Sequence, residues 1–166
     1  MMEERCHSEI VELHQFFQDW FNAVISDTDA EFDRFADVVA STFAIVSPAG
    51  KLQERAPLLA GLRAAYGKSP GIRIWIEDVR LCFQENDIAI VTYAEWQQLG
   101  EAITARLSTA LFRERSGPPN GLEWLHVHRG LPLGAEAHRL EPWEEAPRFS
   151  GLSLLTFPYT YATFNI

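Results

Sequence analysis

Between Ile72 and His128 the apolar residues alternate with polar ones, and turn-forming residues break the alternation at regular intervals. A period of two cannot line one side of a helix; it lines one face of a strand. Ile72, Ile74 and Ile76 share one parity and Val79, Leu81 and Phe83 the other, so the pattern slips near Glu77-Asp78. A β-bulge there restores a continuous face and bends the sheet. The segments Gln84-Glu85-Asn86-Asp87, Leu99-Gly100-Glu101 and Ser116 to Gly121 then separate strands predicted over 88–98, 103–113 and 122–128. Connections this short join antiparallel neighbours, so the stretch reads as a four-stranded meander.

Helical spacing precedes it. Ile10, Leu13, Phe17, Trp20, Phe21 and Val24 recur at three- and four-residue steps, with Glu12, Gln15, Gln18, Asp19 and Asn22 between them. Thr28 and Glu31 have capping-box spacing, opening a second helix that turns Phe32, Phe35, Ala36 and Val39 inward. Thr42 to Val46 is β-branched and aromatic and runs into Ser47-Pro48-Ala49-Gly50, which predicts a short hairpin. A third helix follows from Pro57, carrying Leu58, Leu59, Leu62, Ala65 and Tyr66 until Gly67 stops it. The fold class is therefore α+β: three helices in the N-terminal half, packed on a strongly curved antiparallel sheet. Residues 1–133 form this unit, and 134–166, rich in Glu and Pro and then aromatic, read as a C-terminal extension packed on the same domain or on a dimer partner.

A 47% share of hydrophobic residues in 166 is enough for one folded core. Acidic residues outnumber basic ones 23 to 14, a field that repels phosphate backbones and anionic membranes, so nucleic acid is not an expected partner. No apolar run approaches a membrane span and no signal-type segment opens the chain, which predicts a cytoplasmic protein away from membranes. Cys6 and Cys82 then read as free thiols.

The order helix, helix, hairpin strand, helix and four long strands resembles the nuclear-transport-factor-2-like superfamily, the cystatin-like cone shared with SnoaL-like proteins and ketosteroid isomerases. The resemblance rests on Phe43 to Gly50, on Leu107 to Arg113 and on Trp124-Leu125-His126-Val127-His128, and covers about residues 4–133. The last two phrases also resemble the association domain of calmodulin-dependent kinase. What the resemblance implies is a pocket between the concave sheet face and the helices, open at the wide end of the cone. In a steroid-isomerase-like member a carboxylate precedes the hairpin proline, and a first-helix tyrosine and a protonated carboxylic acid form the oxyanion hole. Here those places hold Ser47, then Phe16, Phe17 and Trp20 without a tyrosine, and Thr109 or Ala110. The steroid-isomerase mechanism is rejected, because enolisation needs a base and a donor for the enolate oxygen.

Phe17, Trp20, Trp75, Tyr93, Trp96, Arg106, Ser108 and His126 are the residues expected around a small, largely apolar ligand. His128 and Glu95 are the candidates for a base if the domain is an enzyme of isomerase or cyclase type. By strand parity Trp124, His126 and His128 leave one face, either at the pocket mouth or on a dimer surface. Tyr93 with Glu95, and Thr104 with Arg106 and Ser108, orient a polar ligand if they face inward and form cross-strand pairs if they face outward. Trp75 and Trp96 suit a pocket wall and a dimer interface equally. Zinc needs a third and usually a fourth ligand beside an H-x-H pair, and only His138 is near in sequence, so neither metal nor cofactor is expected. Cys6, His7 and His14 read as frayed, solvated positions of the first helix. The expected partners are a small molecule and a second copy in a homodimer, perhaps-free of catalysis in the alternative reading of a non-catalytic oligomerisation or protein-interaction module.

Overall fold

The alternating segments pair as a meander in the computed structural model, which describes residues 1–133. Strand β3 (Arg73–Glu85), β4 (Ile88–Leu99), β5 (Ala102–Glu114) and β6 (Leu122–Leu133) lie antiparallel in sequence order. The hairpin strands β1 (Val39–Val46) and β2 (Leu52–Glu54) extend the sheet beyond β6, giving the order β2-β1-β6-β5-β4-β3. β1 runs parallel to β6, so the sheet is mixed where antiparallel pairing throughout was expected. A short turn dictates antiparallel pairing only between consecutive strands; β1 and β6 are far apart in the chain and carry no such constraint. The extension over 134–166 lies outside the described residues.

Helix α1 (Met2–Phe21) buries Cys6, Ile10, Leu13, His14 and Trp20 along one stripe and carries Glu3 and Glu4 in its first turn, where negative charge suits the helix dipole. It ends before Val24, which is exposed, because Ala23 adopts a left-handed conformation at φ 55°. Thr28 accepts a hydrogen bond from the Glu31 amide at 3.3 Å and opens α2 (Asp29–Ala36). Helix α3 (Arg55–Ala64) is followed by Gly67 at φ 64° and tied to α1 through the Trp20 indole N–H, which donates to the Leu62 carbonyl at 2.8 Å.

Fully buried Glu9 on α1 accepts from Arg34 at 3.2 and 3.1 Å, from the Trp124 indole at 2.9 Å and from Asn120 at 2.8 Å. One carboxylate thereby locks α1 to α2, to β6 and to the β5–β6 turn, each lone pair satisfied.

The register slips between Glu77 and Arg80, where Asp78 takes φ 54°, at the place the parity change predicts. A second slip, between Leu81 and Phe83, turns Phe83 outward beside Ile90. A third lies on β6: Leu111 opposes His126 while Phe112 opposes Trp124, which leaves Leu125 as the extra residue.

Candidate functional site

The inner face of the sheet and the three helices enclose a cavity of about 340 Å³. Leu13, Phe17 and Phe21 of α1, Phe35 of α2 and Leu58 and Leu62 of α3 form its apolar walls. The sheet contributes Ile74 from β3, the β4 residues Tyr93, Glu95 and Gln97, Thr104 and Arg106 from β5, and Trp124, Val127 and Arg129 from β6. Ser47 and Pro48 of the hairpin also line it.

Polar groups converge in one place. Glu95 is buried and receives Arg129 Nη2 at 3.1 and 3.3 Å and Gln97 Nε2 at 2.6 Å. His14 Nε2 lies 3.8 Å from the same carboxylate, while His14 Nδ1 is 2.7 Å from the Ile10 carbonyl and so must carry a proton to donate. Arg106 faces Glu95 in register and donates to Gln97 at 3.4 Å. Burial alone would push the Glu95 carboxyl up, but Arg129, then His14, then Arg106 outweigh it and hold it well below the usual carboxylate range. Burial, reinforced by the Glu95 charge, pushes the Tyr93 phenol far above its ordinary value. Glu95 is thus a fixed anion and a poor proton acceptor, since a general base works best with a pKa near the operating pH.

The structure brings Phe17, Tyr93, Glu95 and Arg106 to the cavity. Ser108 is fully buried on the same face of the sheet, opposite Tyr93. Five other expectations are corrected. Trp20 lies in the core against Phe32 and Tyr66, at 5.2 and 4.8 Å between ring centroids, because the helix turns it toward α2 and α3. Trp75 and Trp96 stack on each other at 5.8 Å and 9° on the outer face, since they pair in register with opposite parity to Ile74 and Glu95. His126 and His128 oppose Leu111 and Thr109 and also face outward, because the bulge at Leu125 separates their parity from that of Trp124. His128 is exposed, away from the cavity chemistry.

Two residues of the polar cluster escaped the sequence reading. His14 was expected to be solvated, yet α1 begins at Met2, which makes residue 14 interior to the helix; its four-residue step from Ile10 marks the buried stripe. Arg129 joins Val127 and Trp124 on the inner face only once the Leu125 bulge is counted. Among the described residues no three His, Cys, Asp or Glu side chains gather as metal ligands.

Helices over a curved sheet with an inward pocket define a nuclear-transport-factor-2-like protein. The solved structures agree: a nuclear-transport-factor-2-like protein of unknown function from Pseudomonas aeruginosa superposes with a TM-score of 0.68 and 26% identity, covering 76% of this chain and 97% of that one. The association domain of the calcium/calmodulin-dependent kinase II of C. elegans shares the fold with a TM-score of 0.55 at 15% identity, covering 78% and 98%. Residues 6–131 match the family model of the sucrose-6-phosphate phosphohydrolase C-terminal domain, and the chain belongs to that family. Sucrose-phosphatase 1 of Nicotiana tabacum is 26% identical over 138 residues, 81% of this chain and 32% of the relative. The chain therefore spans about a third of the length of the curated relatives it matches.

Proposed function

We propose that this domain binds a small molecule with a largely apolar body in the cone. The observation that supports the reading is the cavity of about 340 Å³, walled by aromatic and aliphatic side chains with a few polar groups at one place, the usual composition of a ligand site. Binding is favoured over catalysis by Glu95, whose clamped carboxylate orients Arg129 instead of accepting protons. A sugar is a weaker fit than an amphiphile, since a disaccharide desolvates many hydroxyls that this wall leaves unpaired. Any part in sucrose-phosphate hydrolysis would then lie in supporting a catalytic unit of the kind its longer relatives are named for.

Thermal-shift screening of hydrophobic metabolites, with sucrose and sucrose 6-phosphate alongside, tests the reading. Thr104→Trp, placed at an exposed lining position, is the control: it should abolish every ligand-induced shift while leaving the fold intact. Shifts that persist in this variant would move the site elsewhere.

A second reading, homodimerisation through the convex face, is favoured by the Trp75–Trp96 stack and by Phe83, Ile103 and Leu107, which are 47%, 40% and 48% exposed on the same face. Leu107→Lys should convert a dimer to a monomer by light scattering; a wild-type monomer ends this reading.

A further inference from the structure

The charges at the cavity do not balance. Among the described lining residues two guanidiniums, Arg106 and Arg129, face a single carboxylate, Glu95. That carboxylate is already committed: one oxygen takes Arg129 and Gln97, and the other takes Arg129 and faces His14. Arg106 stands directly across from Glu95 on the neighbouring strand, yet Glu95 pairs with Arg129 and His14. Arg106's hydrogen bond is a long one, 3.4 Å to Gln97, and its buried Nε has no partner.

An uncompensated guanidinium in an apolar enclosure is costly, and a fork of unspent N–H donors is shaped for a planar anion. Burial, with Arg129 close by, weakens Arg106's hold on its proton, which is the mark of a locally electropositive site. The excess amounts to one positive charge, two cations against one anion. One negative charge matches it; a doubly charged phosphate ester would bury a net negative charge in its place.

We infer that the Arg106 end of the cavity is a subsite for the carboxylate of a small amphiphile, whose apolar body lies against Phe17, Phe35, Leu58 and Leu62. The inference rests on the pocket reading above and adds the chemistry of the head group. Arg106 is its anion-binding residue; Arg129, held in place by Glu95, is the neighbouring positive charge that keeps the subsite selective for anions.

Isothermal titration of the full chain with octanoate, octanamide, octan-1-ol and octyl phosphate tests the head group separately from the pocket. Octanoate should bind about tenfold or more tightly than octanamide, the margin of one charge-assisted hydrogen bond. Arg106→Gln should erase that preference, leave octanol binding within about twofold by the same reasoning, and leave Tm unchanged or raised, because it removes an unpaired buried charge. Arg106→Lys should keep part of the preference, retaining the charge without the fork. Equal binding of octanoate and octanamide, a preference that survives in Arg106→Gln, or tighter binding of octyl phosphate would each overturn the carboxylate assignment while leaving the pocket standing. Absence of binding by all four amphiphiles would overturn the pocket reading and the head group with it. Should Arg106→Gln fail to fold, the wild-type comparison of octanoate with octanamide decides alone.

Discussion

Glu95 and Arg129 meet across an intervening strand: the guanidinium of Arg129 on β6 reaches over β5 to lie 3.1 and 3.3 Å from the carboxylate oxygens of Glu95 on β4. Both side chains are largely buried, at 15% and 5% exposure, so each neutralises a charge that the interior would otherwise reject. Glu95→Gln keeps the shape but leaves two guanidiniums unopposed, and should cost about 3 kcal/mol of unfolding free energy. Glu95→Gln combined with Arg129→Met should recover much of the loss, as apolar replacement of a buried pair often does. Urea titration of the three variants measures this, and a single variant within about 0.5 kcal/mol of wild type would show that the pair is not energetically coupled.

The same pair sets an acid limit. The folded-state carboxyl of Glu95 lies well below its value in the unfolded chain, so the unfolded state takes up the proton first. Its stabilisation is fully present above the ordinary carboxylate value and is lost as pH falls through the folded value. Glu123 acts in the same direction: burial opposes ionisation, but hydrogen bonds from Arg113 and Arg115 outweigh it. Stability should be flat between about pH 7 and 5 with respect to these groups and should fall below that. In Glu95→Gln/Arg129→Met the fall should be shallower; an unchanged slope would assign acid sensitivity to other carboxylates.

The meander was legible because alternation and turn chemistry act locally, and the bulge at Glu77-Asp78 announced itself as a break in parity among large apolar residues. The bulge at Leu125 gave no such signal. Leu125 and Val127 alternate with His126 and His128 without interruption, and only pairing with β5 shows that Trp124 and Val127 share a face. The site inherits that ambiguity, which is why His126 and His128 were placed with Trp124 and Arg129 was not considered. Tyr93, Glu95 and Arg106 were recognisable as shared-face sets, but their facing depends on which side the helices cover, a long-range fact that no local pattern encodes.

Two glycines should respond in opposite directions to the same change. A Cβ on Gly130 would sit 2.7 Å from the Leu107 carbonyl oxygen, where the β5–β6 register is irregular and backbone cannot yield cheaply. Gly130→Ala should destabilise by about 1–3 kcal/mol. Gly61 is an exposed interior position of α3 with open space around its would-be Cβ, so Gly61→Ala should stabilise by about 0.5–1 kcal/mol through lower unfolded-state entropy. Guanidinium melts of both variants are the check, and a neutral Gly130→Ala would mean that β5 and β6 shift apart freely beside Arg129.

The two thiols should differ sharply in reactivity. Cys6 is fully buried on α1, and burial pushes its thiol up to about 11, so near pH 8 only a trace exists as the nucleophilic thiolate. Cys82 is exposed on β3, turned outward by the same bulge that exposes Phe83. Ellman's reagent should therefore titrate one thiol per native chain and a second only with unfolding, and Cys82→Ser should remove the fast phase. The slow phase then reports how often α1 lifts from the sheet; rapid labelling of both thiols would show that this helix, which carries His14 and Phe17 to the cavity, opens in the native state.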